Sequence, residues 1–136
     1  MERAANDELW GLKMTSDENA NAVNAYLDAF YSGNFSKAKD LVAEDFRFVG
    51  PFVQAQTRDA FFESAAGLVQ IVRGHRLTHQ WADRDEVCSI FEMRLETPVK
   101  KGEIAVCEWH TLAEGELIAG RVMLNAEEFR AFLPPR

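Results

Sequence analysis

The spacing of apolar residues changes once along this chain, near His75, and that change limits the possible folds more than any other feature. Before His75, apolar residues recur every three or four positions, which is typical of amphipathic helices. After it, apolar and polar residues alternate as far as Leu124, which is typical of strands with one buried face. We therefore expect an α+β domain in which helices precede a sheet.

Three helical segments are predicted in the first half of the chain. The first has an apolar face that includes Tyr26 and Phe30, and it ends at Gly33 because glycine tolerates the backbone of a helix end. Ser36 is predicted to cap a short second helix. The third is predicted to begin after Thr57 and to end at Gly74.

The strands are predicted from alternation and from turn residues. A short strand, Phe46–Val49, is expected between the second and third helices, where Pro51 ends it. The later strands are expected at about residues 75–83, 86–97, 103–113 and 116–124. The short turns between them imply an antiparallel meander. Asn125 is expected to cap a last short helix.

Length and charge exclude several classes of protein. The chain has 136 residues, enough for one domain, which we expect to span residues 15–136 behind an N-terminal arm, residues 1–14, that could be partly disordered. The net charge of −7 disfavours nucleic acid and anionic membrane surfaces as partners. No apolar run is long enough to span a bilayer, and the first residues do not resemble a signal peptide, so we expect a cytoplasmic protein.

The cysteines and histidines do not form a metal motif. Cys88 and Cys107 are expected to be free thiols that act as small core residues. His75 and His79 fall on a predicted strand, where residues four apart lie ~13 Å from each other, too far to share one ion. No metal or cofactor is therefore expected. The sequence leaves open which face of this strand, carrying His75, His79 and Trp81, points inward.

Two stretches of the sequence resemble the nuclear transport factor 2-like superfamily. They are AVNAYLDAFYSGNFSKAKDLVAEDFRFVGP, residues 22–51, and EGELIAGRVMLNAEEF, residues 114–129. The superfamily includes ketosteroid isomerase, scytalone dehydratase, limonene-epoxide hydrolase and the SnoaL-type polyketide cyclases. The resemblance implies a cystatin-like cone, with three N-terminal helices packed in a curved, mostly antiparallel sheet and a short C-terminal helix. The open end of such a cone is a natural ligand pocket.

The resemblance also implies candidate catalytic residues. Ketosteroid isomerase carries its proton-transferring Asp immediately before the proline, where this chain has Gly50, so that base is absent. The oxyanion-binding tyrosine of the isomerase matches Tyr26, and its protonated acid matches Glu108. His110 shares the Glu108 face because residues two apart on a strand point the same way. The three candidates could form a catalytic group, or Glu108 and His110 could form an ordinary buried hydrogen bond.

The same strand has a second face with a different expected role. In the superfamily orientation, the Glu108 face lines the cone and the opposite face meets a second subunit. Trp109, Cys107 and Thr111 would then lie in a homodimer interface. The expected pocket lining consists of Phe30, Phe48, Phe62, Val106, Leu112, Ile118, Gly120 and Val122. Gly120 is expected to leave space for a ligand.

The function implied by the resemblance is an enzyme of the SnoaL-like or ketosteroid isomerase-like type. It would act on a hydrophobic small molecule by acid/base chemistry, as an isomerase, cyclase or dehydratase. The alternative is a non-catalytic ligand-binding or dimerisation module on the same fold. The Asp–Arg–Asp relay of the epoxide hydrolases is incomplete, because the final strand IAGRVML has no Asp.

Overall fold

A computed structural model of the protein describes residues 14–135, so the predicted N-terminal arm lies outside the described residues except for Met14. The helices are α1 (Ser16–Tyr31), α2 (Phe35–Lys39), α3 (Arg58–Ala65) and α4 (Ala126–Arg130), with a 3-10 turn at Leu68–Gln70. The strands are β1 (Val42–Val49), β2 (Gln54–Ala55), β3 (Val72–Asp83), β4 (Glu86–Glu96), β5 (Lys101–Ala113) and β6 (Glu116–Leu124).

All six strands form one sheet in the order β2-β1-β6-β5-β4-β3. Strands β3 to β6 form the predicted antiparallel meander, and β1 joins β6 in parallel. Strand β1 begins at Val42, four residues before its predicted start, because Val42 already pairs with Leu117 of β6; after an irregular stretch the pairing resumes at Arg47 with Ala119. The mixed α+β architecture and the curved sheet agree with the expected cone.

Side chains cap the N-terminal ends of the first two helices. Thr15 caps α1 in a capping box, accepting a hydrogen bond from the backbone of Glu18 while Glu18 accepts one from Thr15. Gly33 ends this region with a φ of +84°, which suits glycine. The predicted cap of α2 was wrong: Asn34, not Ser36, accepts the hydrogen bond from the backbone N–H of Lys37, at 3.2 Å.

The third helix is shorter than its sequence pattern predicts. Thr57 caps α3 as expected, but the helix ends at Ala65 rather than at Gly74. The next residues join the sheet, where the N–H of Glu96 donates to the carbonyl of Ile71 at 2.8 Å. Gly74 therefore lies inside β3, and its φ of +135° and missing Cβ make room for the guanidinium of Arg94.

A bulge in β3 decides which way its side chains point. Leu77 pairs with Phe91 and His79 pairs with Ile90, so Thr78 is an extra residue and the alternation reverses there. His75, before the bulge, pairs with the buried Met93 and faces the helices. His79 and Trp81, after it, face outward, and their rings stack 5.8 Å apart. The reversal settles the orientation that alternation alone left open.

The core lies between the helices and the concave face of the sheet. Its largest fully buried side chains include Tyr26, Phe46, Phe91 and Phe132. Cys88 and Cys107 are not part of this core, contrary to expectation. They lie half-buried on the outer face with their Sγ atoms 3.5 Å apart, because their strand positions alternate with the buried ones.

None of the helices within residues 14–135 is long and apolar enough to cross a membrane.

We expect Thr15→Ala to lower the free energy of unfolding by about 1 kcal/mol, because it removes the side-chain acceptor of the α1 capping box. Thermal denaturation followed by circular dichroism would measure this as a fall in Tm of about 3 °C. Thr15→Ser is the control, since it keeps the hydroxyl. An equal loss in both variants would contradict the assigned role of the cap.

Candidate functional site

A cavity of about 430 Å³ lies between the concave face of the sheet and the helices. Its wall is formed by the end of α1, by α3 and the 3-10 turn, by β4 to β6, and by the loop Gly50–Val53. Phe129 and Leu133, in and just after α4, complete it. The volume falls within the usual range for small-molecule sites.

The cavity wall is mostly apolar and rich in aromatic rings. Phe61 of α3 packs on Phe48 of β1, with ring centroids 4.5 Å apart, and on Phe30 of α1 at 5.7 Å. The polar side chains among the described lining residues are Tyr31, Ser64 and Glu108. The Ser64 hydroxyl donates to the carbonyl of Ala60 within its own helix. Glu108 and Tyr31 are therefore the polar groups with which a ligand would interact.

Glu108 is held at the cavity floor by Tyr31. The glutamate is 3 % exposed, and its Oε2 accepts a hydrogen bond from the Tyr31 hydroxyl. Burial, and then the charge of Glu108, raise the pKa of Tyr31 well above its ordinary value. The phenol therefore stays protonated at neutral pH and serves as a hydrogen-bond donor.

Tyr31 was absent from the candidates drawn from the sequence, although a signal for it exists. The apolar stripe of α1 runs through Val23, Tyr26, Leu27 and Phe30, and the next position of the same face is Tyr31. The residue lies at the last turn of the helix, beside the predicted stop at Gly33. Extending the stripe by one position would have found it.

His110 lies behind Glu108 rather than in the cavity wall. Its ring is fully buried, and its Nε2 is 3.3 Å from Glu108 Oε1, a close contact whose N–H direction is too poor for a hydrogen bond. Neither ring nitrogen has an aligned partner among the residues that the structure describes. The pair predicted from the spacing on β5 is therefore in contact, with only its carboxyl member at the cavity.

Tyr26 is also placed outside the cavity wall. Its ring is fully buried and packs edge-on against His110, with centroids 5.3 Å apart. Burial and the charge of Glu108 raise its pKa well above the ordinary value. Tyr26 thus packs against the imidazole of His110 on the side away from the cavity. Tyr31, and not the predicted Tyr26, is the tyrosine that lines the cavity.

The predicted pocket lining divides into two sets. Phe30, Phe48, Val106 and Val122 line the cavity, and Gly50 lies at the same wall. Phe62, Leu112, Ile118 and Gly120 do not. Phe62 lies on the other side of α3, where it packs against Phe35 at 5.2 Å.

The remaining differences arise at a second bulge, where β5 and β6 pair. Leu112 pairs with Leu117 while Thr111 pairs with Ala119, so Ile118 is the extra residue and leaves the inward face. Gly120 does face inward, opposite His110. A Cβ at Gly120 would lie 3.0 Å from the ring of Phe46 and 3.1 Å from that of His110. The space beside this glycine is filled by those two rings and is not available to a ligand.

No group of three or more His, Cys, Asp or Glu side chains suited to a metal ion occurs within residues 14–135.

Sequence comparison places the chain in a family. Residues 23–120 match the model of the SnoaL-like domain, so the chain belongs to the SnoaL-like family and, with it, to the nuclear transport factor 2-like superfamily. A comparison with curated proteins finds no significant match.

Several solved structures share this fold. A protein from Jannaschia sp. CCS1 described as a SnoaL-like polyketide cyclase has a TM-score of 0.78 at 14% identity, over 89% of this chain and 96% of that one. Bal32a, from a soil-derived mobile gene cassette, has a TM-score of 0.76 at 20% identity, over 88% and 98%. An epoxide hydrolase of the LEH-like type from M. tuberculosis has a TM-score of 0.70 at 18% identity, over 87% and 91%. At these identities the likeness concerns the fold alone.

We expect Gly120→Ala to lower the free energy of unfolding by about 2 kcal/mol, because the added methyl group would press on the buried rings of Phe46 and His110. Urea denaturation would measure the loss. Gly67→Ala is the matched control, since a Cβ there meets nothing within 4 Å and its φ of −68° suits alanine. A stable Gly120→Ala protein would contradict the tight packing described here.

Proposed function

We propose that the protein is a small-molecule enzyme of the SnoaL-like, ketosteroid isomerase-like type, which acts on a hydrophobic substrate by acid/base chemistry. The observation that carries the proposal is the single carboxyl group, Glu108, at the floor of an otherwise apolar cavity. Ionisable groups are rarely buried in apolar surroundings without a partner or a role. We assign the proton-transferring role to Glu108.

The surroundings of Glu108 suit a proton-transferring group. The carboxyl group is buried beside an apolar cavity, where it can exchange a proton directly with a bound substrate. Gly50 has no titratable side chain, so Glu108 is the sole carboxyl group among the described lining residues. A single such group can take a proton from one position of a substrate and return it at another. Isomerisation, cyclisation and dehydration all include steps of this kind.

The other predicted residues receive roles that follow from their positions. Tyr31 lies at the cavity and donates its hydroxyl hydrogen to Glu108, so we assign it, rather than Tyr26, the role of holding the carboxyl group in place for a substrate. His110 contacts Glu108 from behind and acts as a positioning residue. Tyr26 packs on His110 and positions the imidazole in turn.

A second candidate function is non-catalytic binding of a hydrophobic ligand by the same cavity. It is favoured by Gly50, which replaces the base used by ketosteroid isomerase and lines the cavity without offering a titratable group. The two functions differ in turnover and not in ligand binding. A compound that binds but undergoes no proton exchange in the protein would favour the second.

We also propose that the protein forms a homodimer through the outer face of the sheet. Trp109 and Trp81 are 45 % and 57 % exposed there, and Met123 is 44 % exposed. Cys107 and Thr111 lie on the same face of β5 as Trp109. A cluster of exposed large apolar side chains on a folded domain is typical of a protein interface.

We expect Glu108→Gln to lower proton exchange by at least about 100-fold, because an amide cannot exchange protons as a carboxyl group does. The assay follows deuterium incorporation from D₂O into a panel of hydrophobic carbonyl compounds and amines by NMR. It detects the transfer of carbon-bound protons that exchange with solvent, whichever product forms.

Glu103→Gln is the matched control, since Glu103 lies on the same strand with an exposed side chain and removes the same charge. Exchange that survives unchanged in Glu108→Gln would remove Glu108 from the proposed chemistry. Binding of both proteins to the same compounds would be measured in parallel, so that a loss of binding is not mistaken for a loss of chemistry.

We expect Trp109→Ala to weaken dimerisation by about 30-fold, because a large aromatic anchor would be lost from the interface. Sedimentation equilibrium would measure the dissociation constant. Val99→Ala is the control, since Val99 is 50 % exposed but lies in the β4–β5 turn. A monomeric wild-type protein, or an unchanged dimer in Trp109→Ala, would refute the proposed interface.

A further inference from the structure

The two carboxyl oxygens of Glu108 differ in their hydrogen bonding. Tyr31 has no hydrogen bond within the described residues other than that to Glu108, so its O–H has Oε2 as its acceptor. This arrangement leaves Oε1 to His110, whose Nε2 lies 3.3 Å away without alignment. One carboxyl oxygen at the cavity floor therefore lacks an aligned donor among residues 14–135.

His110 forms no aligned hydrogen bond with this carboxyl group. A doubly protonated imidazole has two N–H donors, and Nδ1 has no acceptor among the described residues around this fully buried ring. A buried N–H without an acceptor is costly, so these surroundings disfavour the doubly protonated ring. Within residues 14–135, Tyr31 is therefore the one aligned donor to the carboxyl group of Glu108.

The cavity wall offers Glu108 no basic side chain among the described residues. The described lining residues include no Lys, Arg or His. The rings of His75 and Tyr31 lie with their centroids 5.3 Å apart, but burial lowers the pKa of His75, so it is mostly neutral at pH 7. The carboxylate of Asp28 lies 3.5 Å from its Nε2. The cavity is thus an apolar space with one carboxyl group at its floor and no basic side chain in its described wall.

The aromatic side chains of the cavity wall around Glu108 suit an organic cation. The rings of Phe30, Phe48 and Phe61 pack together along the lining, and Tyr31 adds a fourth. Aromatic faces attract positively charged nitrogen, and the attraction is stronger where water is excluded. The net charge of −7 favours the approach of cations over anions.

We propose that the cavity takes an apolar, ring-containing ligand with one positively charged nitrogen, which pairs with Glu108 at the floor while the rings of the ligand contact the aromatic walls. The assignment rests on the proposed function, because both treat the cavity as the ligand site. Beyond the proposed function, this assignment specifies that the polar group of the ligand is positively charged, and it excludes carboxylate ligands.

The test uses three probes that differ only in their polar group: naphthylmethylamine, naphthylmethanol and naphthylacetate, substituted at the same ring position. Isothermal titration calorimetry at pH 7 measures their dissociation constants. We expect the protonated amine to bind about 10-fold more tightly than the alcohol, and the carboxylate to bind at least about 100-fold more weakly than the amine.

Two variants identify the source of this preference. Glu108→Gln removes the charge and is expected to bind amine and alcohol within about twofold of each other while still binding the alcohol. Tyr31→Phe keeps the carboxyl group and is expected to keep the preference for the amine. Glu103→Gln, with an exposed side chain on the same strand, is the charge control and is expected to behave as wild type.

Several results would overturn the proposal. They are equal binding of amine and alcohol by the wild type, tighter binding of the carboxylate, an amine preference that survives in Glu108→Gln, or no binding of any probe. These results are independent of turnover. An amine preference without proton exchange in any compound would uphold the ligand class and reject the catalytic function, and exchange of carbonyl compounds alone, with no amine preference, would do the reverse.

Discussion

The burial of Glu108 on the concave face of β5 is the constraint on which the rest of the site depends. β5 is flanked by β4 and β6, so its inward side chains meet the helices and not the solvent. A carboxyl group in that position costs free energy unless polar groups surround it. Tyr31 from α1 and His110 from the same strand provide that surrounding, and Tyr26 and Phe46 close it from behind. The cavity exists on the one side of Glu108 that these groups leave open.

Two of the bulges in the sheet, at Thr78 and Ile118, determine which side chains face the ligand cavity and which face outward. The extra residue Thr78 turns His79 and Trp81 outward, and the extra residue Ile118 keeps Gly120 and Val122 directed inward. Each bulge reverses the alternation for the remainder of its strand. Trp81 therefore lies on the outer face, where it and Trp109 are large, exposed apolar side chains. A proposed ligand site and a proposed interface thus occupy opposite faces of the same strands.

The polar residues of the site divide by position into those that contact a ligand and those that act through a neighbour. Glu108 and Tyr31 line the cavity, whereas His110 and Tyr26 lie behind them. Gly120 is not polar, but it also acts through a neighbour, because the absence of a side chain there leaves room for the imidazole of His110. The SnoaL-like family assignment is compatible with many reactions, since members of one fold differ in such cavity residues. The single carboxyl group among the described cavity-lining residues is the feature of this chain on which the proposed acid/base chemistry rests.

The sequence by itself determined the order of the main elements, most helix caps, the positions of β1 and β3 to β6 to within a few residues, and the shared face of Glu108 and His110. These depend on local periodicity and on contacts within a few residues. Only the tertiary structure decided the short strand β2, the end of α3 at Ala65, the bulges at Thr78 and Ile118, the choice of Tyr31 over Tyr26, and the separation of cavity-lining from buried residues. These depend on pairing between distant segments, such as Glu96 with Ile71 and Glu108 with Tyr31. A local sequence pattern does not predict such pairs, because the packing of the whole domain determines which distant residues meet.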